Sequence, residues 1–154
     1  MRVLLVGLLL AGATGLQAAE ITVLSSNALK SVLEELVPQF EKATGHKVTA
    51  GFAPAAELKA RIEKGEAFDV AILTAALMDE LARDKRVAGI SRTSVAKAGA
   101  ELVGPLPPEV QVYTVFAAAT SSSAREPAAA YAFVRFLKTQ EAAKVIREKG
   151  MEPG

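Results

Sequence analysis

The sequence of 154 residues has no cysteine and no tryptophan, and it carries one histidine and two tyrosines. Without cysteine there is neither a disulfide framework nor a thiolate to act as nucleophile or metal ligand. The lone histidine, His46, has no partner at a spacing that would build a zinc site or a catalytic triad. It sits in the polar turn ThrGlyHisLys and reads as a solvated loop residue. With 5% aromatic residues there is little material for stacking bases or sugars. An excess of one charge is missing too: 18 Lys+Arg against 17 Asp+Glu give a formal net charge of +1, with both signs mixed along the chain, so nucleic-acid binding has no support. Glu34 with Glu35, and Asp79 with Glu80, fall on the polar sides of expected helices and read as solvated faces. No glycine-rich phosphate loop or GxSxG turn occurs. This inventory argues against an enzyme, and no cofactor or metal is expected.

Long apolar runs are also lacking. The one at residues 3–10 (VLLVGLLL) is far short of the roughly 20 residues that cross a bilayer. It follows Met1 and Arg2 and gives way to the small-residue stretch AGATGLQAA, which is the order of a cleavable secretory signal over residues 1–19. Cleavage after Ala18 or after Ala19 satisfies the pattern equally. The remaining residues 20–154 suit one α/β domain, and an exported chain without cysteine fits a bacterial periplasm.

What the sequence does have is alternation. Residues 21–24 form a short β-branched strand that runs into SerSerAsn at 25–27. A helix follows with Val32, Leu33, Leu36, Val37 and Phe40 on one stripe. Ser31 and Glu34 have capping-box spacing, Asn27 is a rival cap, Pro38 is expected to kink or split the helix, and Gly45 closes it. Residues 47–52 predict a second strand, 55–64 a helix with Leu58 and Ile62 inward and Gly65 as its stop, 68–73 a third strand, and 75–84 a helix with Leu77, Met78 and Leu81 on one side. This rhythm predicts βαβ crossovers and a parallel sheet. Further on, residues 92–96, 101–103 and 111–117 are strand candidates, and GPLPP at 104–108 is an extended turn. Pro127 opens a helix with Ala132, Phe133, Phe136 and Leu137 inward, and Thr139 caps a last helix that ends at Gly150.

In an open parallel sheet, ligands sit beyond the carboxyl ends of the strands, where helix N-termini offer free N–H groups suited to an anion. Those positions here are 25–28, 53–56 and 74–76, with Ser25, Ser26 and Asn27 adding side-chain donors. The same residues also read simply as caps and turns.

ITVLSSNALKSVLEELVPQFEKATGHKVTAGF, then ELKARIEKGEAFDVAIL, ELVGPLPPEVQVYTVFAAA and the ending through GMEPG resemble the periplasmic solute-binding proteins of ABC importers, most closely the molybdate-binding branch. The resemblance covers nearly all of residues 20–154. It implies the three-layer lobe of a type II periplasmic binding protein, a small oxyanion such as molybdate or tungstate as ligand, and an ABC permease as partner. Members of that family have two lobes, whereas here SRTSVAKAG and AELVGPLPP meet near 98–101, so the resemblance implies a single lobe with most of the second one missing. The ligand-binding residues it implies are Ser25, Ser26, Asn27, Ala28, Pro54, Ala55 and Ala56. Alanine stands at 28 and 55, where the molybdate branch has serine, so weakened binding is expected. Self-association through the surface left by the missing lobe follows as a further expectation, as does the alternative of a non-transporting remnant or interaction protein of the same fold.

Overall fold

The computed structural model describes residues 18–89, 92–99 and 113–154. Strand β1 (Glu20–Ser26) passes through a single 3-10 turn, Asn27–Leu29, into helix α1 (Lys30–Thr44). Then come β2 (Lys47–Ala53), α2 (Ala55–Glu63), β3 (Val70–Thr74), α3 (Ala75–Arg83), β4 (Thr93–Gly99), β5 (Tyr113–Thr120), α4 (Pro127–Phe136), α5 (Gln140–Glu148) and the two-residue β6 (Glu152–Pro153). The strands lie in one sheet in the order β2-β1-β3-β5-β4-β6.

Side-chain alternation along each strand feeds two separate cores. Ile21 and Val23 of β1, Val70 and Ile72 of β3, and Phe116 and Ala118 of β5 pack with α1, α4 and α5 on one face. Leu24, Ala71, Leu73, Ala117 and Ala119 face the other way, onto Leu58 and Ile62 of α2 and Met78 and Leu81 of α3. The strands are apolar on both faces because both faces are covered, which gives the expected three-layer α/β lobe. Phe40 anchors the first core, edge-on to Phe133 with ring centroids 5.0 Å apart.

Asp69 ties the sheet together just before β3. It is 2% exposed. Its Oδ2 accepts from Thr22 N at 2.8 Å, and its Oδ1 accepts from Arg125 N at 2.8 Å and Glu126 N at 3.3 Å. Its own N–H donates to Thr22 O, and its carbonyl accepts from Ser121 N. One residue thereby joins β1, the entry to β3, the exit of β5 and the start of α4.

Several expectations need correcting. Parallel pairing holds only among β2, β1 and β3; β5 is antiparallel to both β3 and β4, and β6 is antiparallel to β4. Neither Ser31 nor Asn27 caps α1, whose N-cap is Leu29 without a side-chain bond. Pro38 leaves α1 unbroken, because it is exposed and the carbonyl it orphans, on Glu34, belongs to an exposed residue that water reaches. His46 is half-buried rather than solvated: its Nδ1 accepts from Ala19 N at 3.1 Å and its ring lies against Phe40. The paired acids do lie on solvated faces, where Glu35 also meets Lys149 at 2.9 Å, Glu80 Lys59 at 3.1 Å and Asp79 Arg92 at 2.8 Å. Gly45 ends α1 at φ 76° and Thr139 Oγ1 accepts from Ala142 N at the start of α5, both as expected. The strand candidate 101–103, the turn 104–108 and the signal residues 1–17 lie outside the described residues.

Candidate functional site

Because β1, β2 and β3 run in the same direction, Ser26, Ala53 and Thr74 finish on one edge of the sheet. Ser26 pairs with Ala53 in register, and Ser25 with Ile72. On that edge the chain enters the 3-10 turn and α1, then α2 from Pro54, then α3 from Thr74. None of these three entries is capped by a side chain. The first N–H groups of each turn are therefore left for water or a ligand, and together they present partial positive charge. The start of α5 differs, since Thr139 supplies its own cap.

Within this edge the residues singled out by sequence fall into three kinds. Ser25 is fully buried and its hydroxyl is spent on Ser26 O at 3.3 Å, so it shapes the turn and offers nothing outward. Ser26 is 7% exposed and its hydroxyl has no partner among the described residues. Asn27, Ala28, Pro54 and Ala56 are exposed on the rim, and Ala55 is half-buried against the second core. Sequence and register bring all seven to one edge. Thr74, the half-buried N-cap of α3, completes the triangle of helix starts; its signal was the end of the third strand. Among 25–28, 53–56 and 74–76 no side chain titrates, so these residues can hold an anion by hydrogen bonds and helix ends alone.

The remaining two long strands meet the same edge. Thr74 pairs with Phe116, so antiparallel β5 starts here, and Gly99 at the end of β4 lies opposite Tyr113 at the start of β5. Tyr113 is 39% exposed. A cavity of about 580 Å³ lies at the opposite edge, between Ile62, Phe68, Lys85, Arg86 and Ser122, and includes none of the site residues.

A three-layer lobe with uncapped helix starts over the strand ends is an arrangement suited to holding a ligand there. The chain belongs to the bacterial extracellular solute-binding protein family, whose sequence profile matches residues 21–99 and 76–152. The periplasmic molybdate-binding protein of Azotobacter vinelandii shares the fold with TM-score 0.76 at 15% identity, over 85% of this chain and 98% of that one. The tungstate ABC transporter protein of Geobacter sulfurreducens gives TM-score 0.63 at 12% identity, over 84% and 98%. An aconitate isomerase of a Pseudomonas species is 32% identical over 103 residues, 61% of this chain; the chain spans about two-fifths of that relative, 39% of its length.

Proposed function

We propose that the chain is the substrate-binding component of an ABC importer for a small oxyanion, exported to the periplasm by an N-terminal signal that ends at Ala18 or Ala19. Residues 20–154 then form a single binding lobe, with the place of a second lobe near 98–101. The reading is carried by one observation: three helix starts without side-chain caps lie at one end of the sheet beside Ser26, whose hydroxyl has no partner among the described residues.

Molybdate, tungstate or a similar oxyanion fits the donors of residues 25–28 and 53–56, handed on to an inner-membrane permease. Ala28 and Ala55 provide backbone N–H groups without hydroxyls, and half of a closed cleft is absent. Three or four charge-assisted hydrogen bonds, each reduced by exposure to water to about 1–1.5 kcal/mol net, sum to about 3–6 kcal/mol and place Kd between about 0.04 and 6 mM. Calorimetry on residues 20–154 with molybdate, tungstate, sulfate and phosphate tests this. Sub-micromolar binding of any of them refutes the single-lobe argument, and no binding at 10 mM refutes the anion site. Ser26→Ala is expected to weaken binding about five- to tenfold.

The likeness to the aconitate isomerase favours a second reading, in which the anion is a small polycarboxylate. Adding aconitate to the calorimetry separates the two. Binding without turnover is expected, since none of residues 25–28, 53–56 and 74–76 carries a titratable side chain to move a proton. If no anion binds and light scattering finds a stable dimer, the chain is instead an interaction protein that associates through the exposed edge.

A further inference from the structure

We infer that export leaves Ala19 as the first residue of the working chain, the bond cut being that between Ala18 and Ala19. This rests on the export reading above and adds to it the position of the cut. The sequence permits two frames, because either puts alanine at the cut, with Leu16 or Gln17 two residues before it.

The fold treats the two alanines differently. Ala18 is exposed and makes no hydrogen bond among the described residues. Ala19 is half-buried and packs against the first core. Its N–H donates to His46 Nδ1 at 3.1 Å, and its carbonyl accepts from Lys47 N at 2.8 Å, one step beyond the Glu20–Lys47 pair that begins the β1–β2 ladder. The boundary between bonded and unbonded backbone therefore falls between residues 18 and 19. A cut one residue later deletes both bonds and leaves Lys47 N–H without its acceptor at the head of β2.

The chemistry agrees with that boundary. An export endopeptidase that reads small residues adds water across the amide; the Ala18 carbonyl leaves as a carboxylate on the signal fragment, and Ala19 nitrogen takes the proton as an amine, largely ammonium at neutral pH. The new ammonium still has an N–H to give to His46 Nδ1, and its charge strengthens that bond. Once folded, Ala19 O is engaged in the ladder, so the segment cannot extend into a protease cleft and trimming stops there.

The precursor should be expressed in an exporting Gram-negative host, recovered from the periplasm and its N-terminus read by intact mass and terminal-peptide sequencing. A single N-terminus at Ala19 is expected. A start at Glu20 overturns the inference while leaving export intact, whereas an uncut chain retained inside the cell overturns both. Chains prepared to start at Ala19 and at Glu20 should also be unfolded in urea. The Ala19 chain is expected to have an unfolding equilibrium constant about tenfold lower, and His46→Ala to cost it more than it costs the Glu20 chain. Equal midpoints for the two chains would remove Ala19 from the fold and the inference with it.

Discussion

Replacing Asp69 by alanine is the severest single test of how this sheet is held. The substitution removes the acceptor of three backbone N–H groups, on Thr22, Arg125 and Glu126, at a residue only 2% exposed. Hydrogen bonds to a carboxylate contribute about 1.5–3 kcal/mol each. Arg125 and Glu126 carry exposed side chains, so water partly replaces the lost acceptor there, and the sum falls to about 3–5 kcal/mol. Small domains have about 5–15 kcal/mol in all, so the variant should fold but sit near its limit. With a urea dependence of about 1–3 kcal/mol per molar, the midpoint should fall by about 2 M in an unfolding curve followed by far-UV circular dichroism. Asp69→Asn keeps one oxygen but turns an NH2 toward another donor, and should lose about half as much. Asp79→Ala serves as the control, since it removes only the half-exposed ion pair to Arg92 and should cost under about 0.5 kcal/mol. A loss below about 1 kcal/mol for Asp69→Ala would refute the view that this carboxylate joins β1 to the β5–α4 connection.

Thr139→Ala removes the hydroxyl that accepts from Ala142 N and should lower stability by about 1 kcal/mol, read by the same urea curve. Gly45→Ala meets open space but keeps φ at 76°, so backbone strain alone should cost about 1 kcal/mol and a few degrees of Tm by calorimetry. The hydrogen bond from the Arg61 guanidinium holds the Glu66 carboxyl below its usual range, against a smaller opposing effect of burial. A depressed carboxyl contributes stability above its unfolded value, about pH 4.3, and loses it as pH falls through the folded value. Glu66→Gln should therefore be less stable than wild type at pH 7, with the gap closing below about pH 4.3; a gap independent of pH would refute that assignment. Glu41, lowered chiefly by the hydrogen bond from Val48 N, should add to the same acid limb.

Much of the fold was legible because its signals are local. The β-branched run at 21–24, the glycines at 45 and 65 and the proline at 127 each set an element boundary through neighbours within one turn. The reversal of β5 was not legible, since strand direction depends on where the chain goes between 99 and 113 and not on the composition of YTVFAAAT. Asp69 was equally silent: its side-chain partners are 47, 56 and 57 residues away, and no periodicity reports such distances. The site was legible as positions rather than as chemistry. Strand ends could be found from their apolar runs, but that Ser25 spends its hydroxyl inward while Ser26 does not is decided by the pleat.

The pairing of Gly99 with Tyr113 has a consequence for how such proteins change size. Two strand ends held side by side, roughly 5 Å apart as ladder partners are, form a socket in the edge of the sheet. A segment of any length can be spliced between them at a cost that grows only with the logarithm of its length, and no sheet bond need be broken. A sheet built in this way can take up an insertion at this point and still fold.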